Sequence, residues 1–122
     1  MEELSLFDSE LRLMDIIWDE APVESGKLVK IAKEKFQWSK STTYTVIHKL
    51  VVKGFVVNDS SIVKVLIPKE RIQIQESNKI VEERFAGSLP SFLASFLGKK
   101  SLTDEEGDEL IDLIKQHMED KK

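Results

Sequence analysis

The chain has 122 residues, 41% of them hydrophobic, with a formal net charge of −4 and no cysteine. This length can bury one hydrophobic core with a small appendage but hardly two full domains, and the lack of cysteine excludes disulfides, thiolate metal sites and cysteine nucleophiles. Because no apolar run approaches the ~20 residues of a membrane span, we expect a soluble cytoplasmic protein without a membrane partner.

The first part of the chain shows helical spacing of apolar residues. A first helix is predicted from near Asp8, with Ser5 or Asp8 as its cap, to a point before Pro22. A second helix is predicted over about Ser25–Phe36, and a third begins after Ser39, whose hydroxyl can accept a hydrogen bond from the first free backbone amides. Two helices joined by a tight turn, the second with a polar exposed face, are typical of a helix-turn-helix that binds DNA.

The third helix is predicted to have one apolar and one polar face. Val46, Ile47 and Leu50 recur at helical spacing and mark the buried side. The remaining polar side chains have the length needed to reach base edges and phosphates in a major groove. The predicted DNA contacts on this helix are Lys40, Ser41, Thr42, Thr43, Tyr44, Thr45, His48 and Lys49. An ordinary amphipathic surface helix shows the same period, so this segment alone leaves both interpretations open.

Charge is distributed unevenly along the chain. Residues 27–53 contain seven lysines against Glu34 alone, a balance of +6, so the remaining residues must sum to −10 in a chain of −4. Because lysine and arginine release the counterions of a polyphosphate, a basic segment within an acidic protein is typical of a DNA-binding surface. Lys40, Lys53 and Lys64 are the predicted phosphate contacts.

After Gly54 the spacing of apolar residues changes from that of a helix to that of strands. Residues 55–57 and 62–67 are rich in β-branched side chains, and the residues between them have a turn composition. A β-hairpin is therefore predicted, and Pro68 ends its second strand because proline cannot continue the hydrogen-bond ladder. Such a hairpin after a helix-turn-helix is the wing of a winged helix.

The last third of the chain predicts three further helices. The first covers about Glu70–Ala86 and is broken by Gly87 and Pro90, and the second covers Leu89–Leu97. A capping box at Thr103–Glu106 precedes the third. These elements together predict a mainly α fold with a small β-hairpin, in which residues 1–70 form a winged-helix DNA-binding domain and residues 71–122 a helical dimerisation region.

The three C-terminal helices carry more apolar surface than they can bury by themselves. A second copy of the chain is the simplest partner for that surface, so a homodimer is predicted. Its predicted interface consists of Phe85, Phe92, Phe96, Leu110, Ile111, Ile114 and Met118. The alternative is that these helices fold back onto their own winged helix.

Catalytic motifs are missing from the sequence. His48 and His117 stand far apart, and neither has the spacing of a metal-binding pair. The carboxylates that follow Thr103 cluster at a helix start, where the helix dipole favours them for structural reasons. We therefore expect no enzyme activity, no metal and no cofactor.

With these residues in place, the chain resembles the penicillinase-repressor family of winged-helix regulators, which includes the repressor of methicillin resistance. The resemblance covers nearly the full length and rests on Ser9–Trp18, Trp38, Ser39, Thr42, Thr45, Leu50, Lys53–Phe55, Pro68, Phe85–Gly87, Leu102, Thr103, Glu105 and Glu106. It implies a homodimeric transcriptional repressor whose winged helices bind the two halves of a near-palindromic operator in double-stranded DNA, with the C-terminal helices forming the dimer.

Some positions depart from the pattern of the family's β-lactam repressors. When a membrane sensor signals, those repressors are cut between an asparagine and a phenylalanine in the short C-terminal helix, where this chain has Ser95 and Phe96. They carry basic residues where this chain has Ser41 and Tyr44, which predicts a changed groove-reading surface. Copper-responsive relatives carry cysteine pairs, so a chain without cysteine cannot sense copper through thiolates. The sequence names neither the inducing signal nor an upstream sensor.

A second function remains open at the level of the sequence. The chain could be a protein-interaction module that uses the winged helix as a scaffold and binds no specific DNA sequence, since fold does not fix function. The acidic remainder of the chain and the nearly neutral wing favour this alternative. The basic balance of residues 27–53 favours DNA binding.

Overall fold

A computed structural model describes residues 4–118 of the chain. Within that range the elements are α1 (Asp8–Glu20), β1 (Val23–Glu24), α2 (Ser25–Phe36), α3 (Lys40–Val52), β2 (Val56–Asp59), β3 (Ile62–Val65), α4 (Lys69–Phe85), α5 (Leu89–Leu97) and α6 (Asp104–Gln116). This arrangement confirms the predicted fold class, a winged helix-turn-helix followed by a helical region.

The described residues divide into two compact units. The first ends at Lys79 and the second begins at Ile80. The start of α4 therefore belongs to the first unit, whereas the sequence suggested a boundary after residue 70. Ile72 explains the difference, because this residue of α4 is buried in the same core as the winged helix.

The core of the first unit lies between α1, α2, α3 and the sheet. Its fully buried apolar side chains come from each of these elements: Leu13, Met14, Ile17, Leu28, Ile47, Leu50, Phe55, Val56 and Val63. Burying each of these side chains contributes roughly 1.5–3 kcal/mol. This packing fixes the face that α3 turns to the interior, and therefore also the face that it turns to solvent.

The sheet contains one strand that the sequence did not predict. β1 has only two residues, and it pairs antiparallel with β3 through Val23 and Val63 in the strand order β1-β3-β2. The β2–β3 hairpin is tighter than expected, because Asn58 and Asp59 pair with β3 and only Ser60 and Ser61 form the turn. Both serines have positive φ angles, 51° and 70°, as in the two-residue turns that match the twist of a hairpin.

One predicted helix cap needs correction. α1 begins at Asp8, near the predicted start, but its N-cap residue is Phe7 and not Ser5 or Asp8, and the carboxylate of Glu10 accepts a hydrogen bond from the Phe7 amide at 2.8 Å. α4 ends at Phe85, next to the predicted end at Ala86, and Pro90 lies in the first turn of α5, where a missing amide proton costs nothing.

The second unit contains the end of α4 together with α5 and α6. Phe92 contacts the ring of Phe85 edge to face, with centroids 5.4 Å apart, and stacks on Phe96 at 5.9 Å. The capping box of α6 has formed as predicted, with Thr103 and Glu106 each accepting a hydrogen bond from the other's backbone amide.

Candidate nucleic-acid interface

The N-terminus of α3 is held by a serine cap. The Ser39 hydroxyl accepts a hydrogen bond from the Thr42 amide at 3.1 Å, which satisfies one of the amides left free at a helix start. The same hydroxyl donates to the Thr42 side chain at 2.9 Å. The cap therefore fixes the first turn of α3, where Lys40, Ser41 and Thr42 are exposed.

The solvent side of α3 is a continuous polar stripe. Ser41, Thr45, His48 and Lys49 are all exposed, and their spacing places them one above another along the helix. Lys40 and Thr42 are exposed beside the start of this stripe. The stripe thus combines hydroxyl groups with cations on a helix whose opposite face is anchored in the core.

Thr43 was among the predicted DNA contacts, but the structure buries its side chain. Its side chain is 0% exposed, and its hydroxyl donates a hydrogen bond to the backbone carbonyl of Ser39 at 3.1 Å. Thr43 precedes Ile47 and Leu50 at helical spacing, so it lies on the buried face with them. It stabilises the first turn from inside and cannot contact DNA.

Tyr44 is only half-buried, and its hydroxyl lies 3.2 Å from the hydroxyl of Ser25 at the start of α2. Ser25 is itself buried. This contact joins the two helices of the helix-turn-helix. The Tyr44 hydroxyl is therefore already hydrogen-bonded within the protein.

Lys53 has a different environment from the one the sequence suggested. Its ammonium group lies 2.5 Å from Oε1 of Glu10, donates to the Ser5 carbonyl at 3.2 Å and sits 4.3 Å from the centroid of the Phe7 ring. Glu10 is 1% exposed. The charge of Lys53 is therefore paired within the first unit, while the residue stays partly exposed, and its phosphate contact stays a prediction.

Glu10 was not among the predicted site residues. Its position in the first turn of α1 suggests a capping carboxylate, and it does accept from the Phe7 amide. Its burial depends on a contact with a residue 43 positions away, which no local pattern reports.

Lys64 lies on β3, in the wing. Its ammonium group is 3.5 Å from the carboxylate of Asp59, and both side chains are mostly exposed. An exposed pair of this kind contributes roughly 0–1 kcal/mol, so a phosphate can displace the carboxylate. The pair also explains why the wing carries little net charge.

Most of the chain matches a known protein family. Residues 6–116 match the family described as penicillinase repressor. The chain belongs to the penicillinase repressor family. Members of this family are DNA-binding transcriptional repressors and not enzymes, which confirms the expected regulatory, non-catalytic role.

Individual relatives agree with this membership over most of the chain. The penicillinase repressor of Bacillus licheniformis is 26% identical over 120 residues, which cover 94% of this chain and 93% of that protein. The methicillin resistance regulatory proteins MecI of Staphylococcus aureus (strain N315) and Mammaliicoccus sciuri are each 24% identical over 110 residues, covering 87% of this chain and 89% of those proteins.

Among residues 4–118, no group of three or more histidine, aspartate or glutamate side chains is arranged to hold a metal ion. Over the same range, every helix is too short or too polar to pass through a bilayer.

The second unit exposes the apolar residues that were predicted to form a dimer interface. No residue of α5 or α6, both of which are fully described, is buried. Phe85, Phe92 and Leu110 are partly covered, whereas Phe96, Ile111, Ile114 and Met118 are exposed. A groove of about 430 Å³ lies between the two helices and is lined mainly by Leu93, Phe96, Leu97, Leu102, Leu110 and Leu113.

Proposed function

We propose that this repressor acts as a homodimer that reads a near-palindromic operator through the exposed stripe of α3. The single observation that carries the proposal is the separation of the two faces of this helix. Val46, Ile47 and Leu50 anchor α3 in the core, while hydroxyl and cationic side chains line its other side. A helix held in this way can present short polar side chains to base edges in a major groove.

The exposed residues divide by chemistry into two groups. Ser41, Thr42 and Thr45 have short hydroxyl side chains suited to direct contacts with bases, and His48 extends the same stripe. Lys40, Lys49 and Lys64 are suited to phosphates, which position the protein without reading the sequence. Tyr44 contributes less to DNA binding than these residues do, because its hydroxyl already contacts Ser25.

The dimer is supported by the apolar surface of the second unit. Ile111 and Ile114 are exposed on α6 and Met118 is exposed just beyond the end of that helix, and exposed apolar side chains grouped in this way usually mark an interface. A two-fold dimer would place the two recognition helices about one DNA turn apart, ~34–36 Å, or a multiple of it, to match the two halves of a palindrome. No cofactor and no membrane are needed for this mode of action in the cytoplasm.

Replacing Thr45 with alanine tests the role of the stripe. An operator would first be selected from random duplexes by the wild-type protein, and each base pair of it would then be changed in turn. Loss of a base contact should cost ~1–3 kcal/mol of binding free energy and relax discrimination at one base pair in each half-site. Mobility shifts would measure the affinity of each protein for each altered operator.

Lys49→Ala is the matched comparison on the same helix face. It should weaken binding to all sequences alike and make the dependence of affinity on salt shallower by about one unit, because one phosphate contact is lost. Ser77→Ala, an exposed change on α4, serves as the neutral control. Binding by Thr45→Ala that matches wild type at every base pair would overturn the assignment.

A further inference from the structure

The wing has a single cation and a single carboxylate, and the two lie side by side. Within residues 56–65, Lys64 is the only basic residue and Asp59 the only acidic one. The Lys64 ammonium group is 3.5 Å from Oδ2 of Asp59, and no other ion pair of Lys64 is found among residues 4–118. The wing therefore carries no net charge, although its lysine is a predicted contact for a DNA phosphate.

The register of the hairpin explains why these two side chains meet. The two-residue turn places Asp59 opposite Ile62 and Val57 opposite Lys64. Residues paired across two strands point to the same face of a sheet, and so do alternate residues along one strand. Asp59 is therefore the diagonal neighbour of Lys64, at a distance that a long side chain such as lysine can span.

Both side chains lie on the solvent face of the wing. Val63, which precedes Lys64 on β3, is fully buried, so Lys64 points away from the core. The Lys64 and Asp59 side chains are 52% and 63% exposed. An exposed pair of this kind is weak, so a DNA phosphate can displace the carboxylate at a small cost. The displaced carboxylate stays on the same face as Lys64, where it repels the phosphate.

We propose that Asp59 limits the affinity of the protein for DNA of any sequence, because it holds the Lys64 ammonium group in the free protein and opposes the phosphate that this lysine binds. A cation that is already neutralised releases few counterions from DNA in net terms. The wing therefore adds little to non-specific binding, and the preference for an operator depends on the base contacts of α3. The inference rests on the proposed DNA-binding function and on its phosphate contact at Lys64.

Asp59→Asn tests this inference, since it removes the charge with almost no change in the shape of the side chain. Mobility shifts over a salt series would measure the affinity of the full chain for the selected operator and for a scrambled duplex. Asp59→Asn should bind both duplexes roughly three- to fivefold more tightly than wild type, the upper part of the range for an exposed pair. The dependence of its affinity on salt should be steeper by about one unit, because one more cation is free to displace counterions.

The effect of Lys64→Ala should depend on Asp59. In the wild-type background this change removes a neutralised cation, so the salt slope should change by less than about half a unit. In the Asp59→Asn background it should make the slope shallower by about one unit and cancel the gain in affinity. Lys49, which has no ion pair among residues 4–118, is the reference lysine. Lys49→Ala should make the slope shallower by about one unit in both backgrounds.

Glu24→Gln is the matched control for the carboxylate. Glu24 is exposed on β1 opposite Ile62, so it lies on the same face of the sheet as Asp59. No ion pair of Glu24 is found in the part of the chain that the structure describes. Glu24→Gln therefore removes an equal charge without releasing a lysine, and it should change either affinity by less than about twofold at physiological salt, where screening is strong.

The results separate this inference from the proposed function. A gain for Asp59→Asn no larger than that for Glu24→Gln would overturn the inference, and so would a gain that persists in full after Lys64→Ala. Either result leaves the proposed repressor intact. Equal binding of wild type to the operator and the scrambled duplex would contradict the proposed function, whereas the scrambled duplex alone would still test the role of Asp59.

Discussion

Replacing Ile114 with aspartate is expected to make the protein monomeric and to weaken operator binding by ~10²–10⁴-fold, the range lost when two linked binding events become independent. Ile114 is 52% exposed in the single chain, between Ile111 on the same helix and Met118 just beyond the helix end. An aspartate there would be solvated in a monomer but desolvated without a partner in a dimer, which costs several kcal/mol.

Light scattering and operator binding should be measured together on this variant. Gln116→Asp is the matched control, because it introduces the same charge on an exposed position of α6 that does not share the face of Ile111 and Ile114. If Ile114→Asp stays folded and dimeric, the interface lies elsewhere. If it is monomeric and still binds the full operator as tightly as wild type, dimerisation and repression are not coupled.

The second large effect is expected at the ion pair that joins α1 to the end of α3. Lys53→Ala should lower the free energy of unfolding by about 3 kcal/mol, the lower part of the range for breaking a buried pair, because part of the Lys53 side chain reaches solvent. Glu10 would remain buried with its charge uncompensated, and its Oε2 already lacks a hydrogen-bond partner among the described residues. Urea unfolding would measure the loss.

Replacing both partners of the ion pair gives this prediction its control. Replacing Glu10 and Lys53 together with methionine should cost much less than Lys53→Ala alone, since no charge is left buried. Lys49→Ala, on the exposed stripe, should change stability by no more than about 0.5 kcal/mol. A folded Lys53→Ala variant of unchanged stability, whose DNA affinity depends on salt with a slope shallower by about one unit, would instead identify Lys53 as a phosphate contact.

Features governed by neighbouring residues were predictable from the sequence. The bounds of α2, Ser25–Phe36, agree with the structure, as do the Ser39 cap and the capping box of α6. Each depends on side chains within one or two turns, where spacing and capping chemistry act directly. The change to strand spacing after Gly54 likewise placed the wing.

Features governed by distant contacts were not predictable in the same way. β1 has two residues, too few to show a period, and it exists because Val23 pairs with Val63 across the sheet. The partnership of Glu10 and Lys53 also depends on the packing of α1 against α3. Thr43 is an exception, because its spacing from Ile47 and Leu50 already indicated the buried face.

Base reading through α3 is tested by the affinity of the wild-type protein for its selected operator, relative to its affinity for a scrambled duplex of the same length and composition. A repressor that reads bases through α3 should bind the operator at least ~10³-fold more tightly at physiological salt. Both affinities should fall as salt increases, because lysines displace counterions from phosphates. Equal affinity for the two duplexes at every salt concentration would contradict base reading and favour a protein-interaction module.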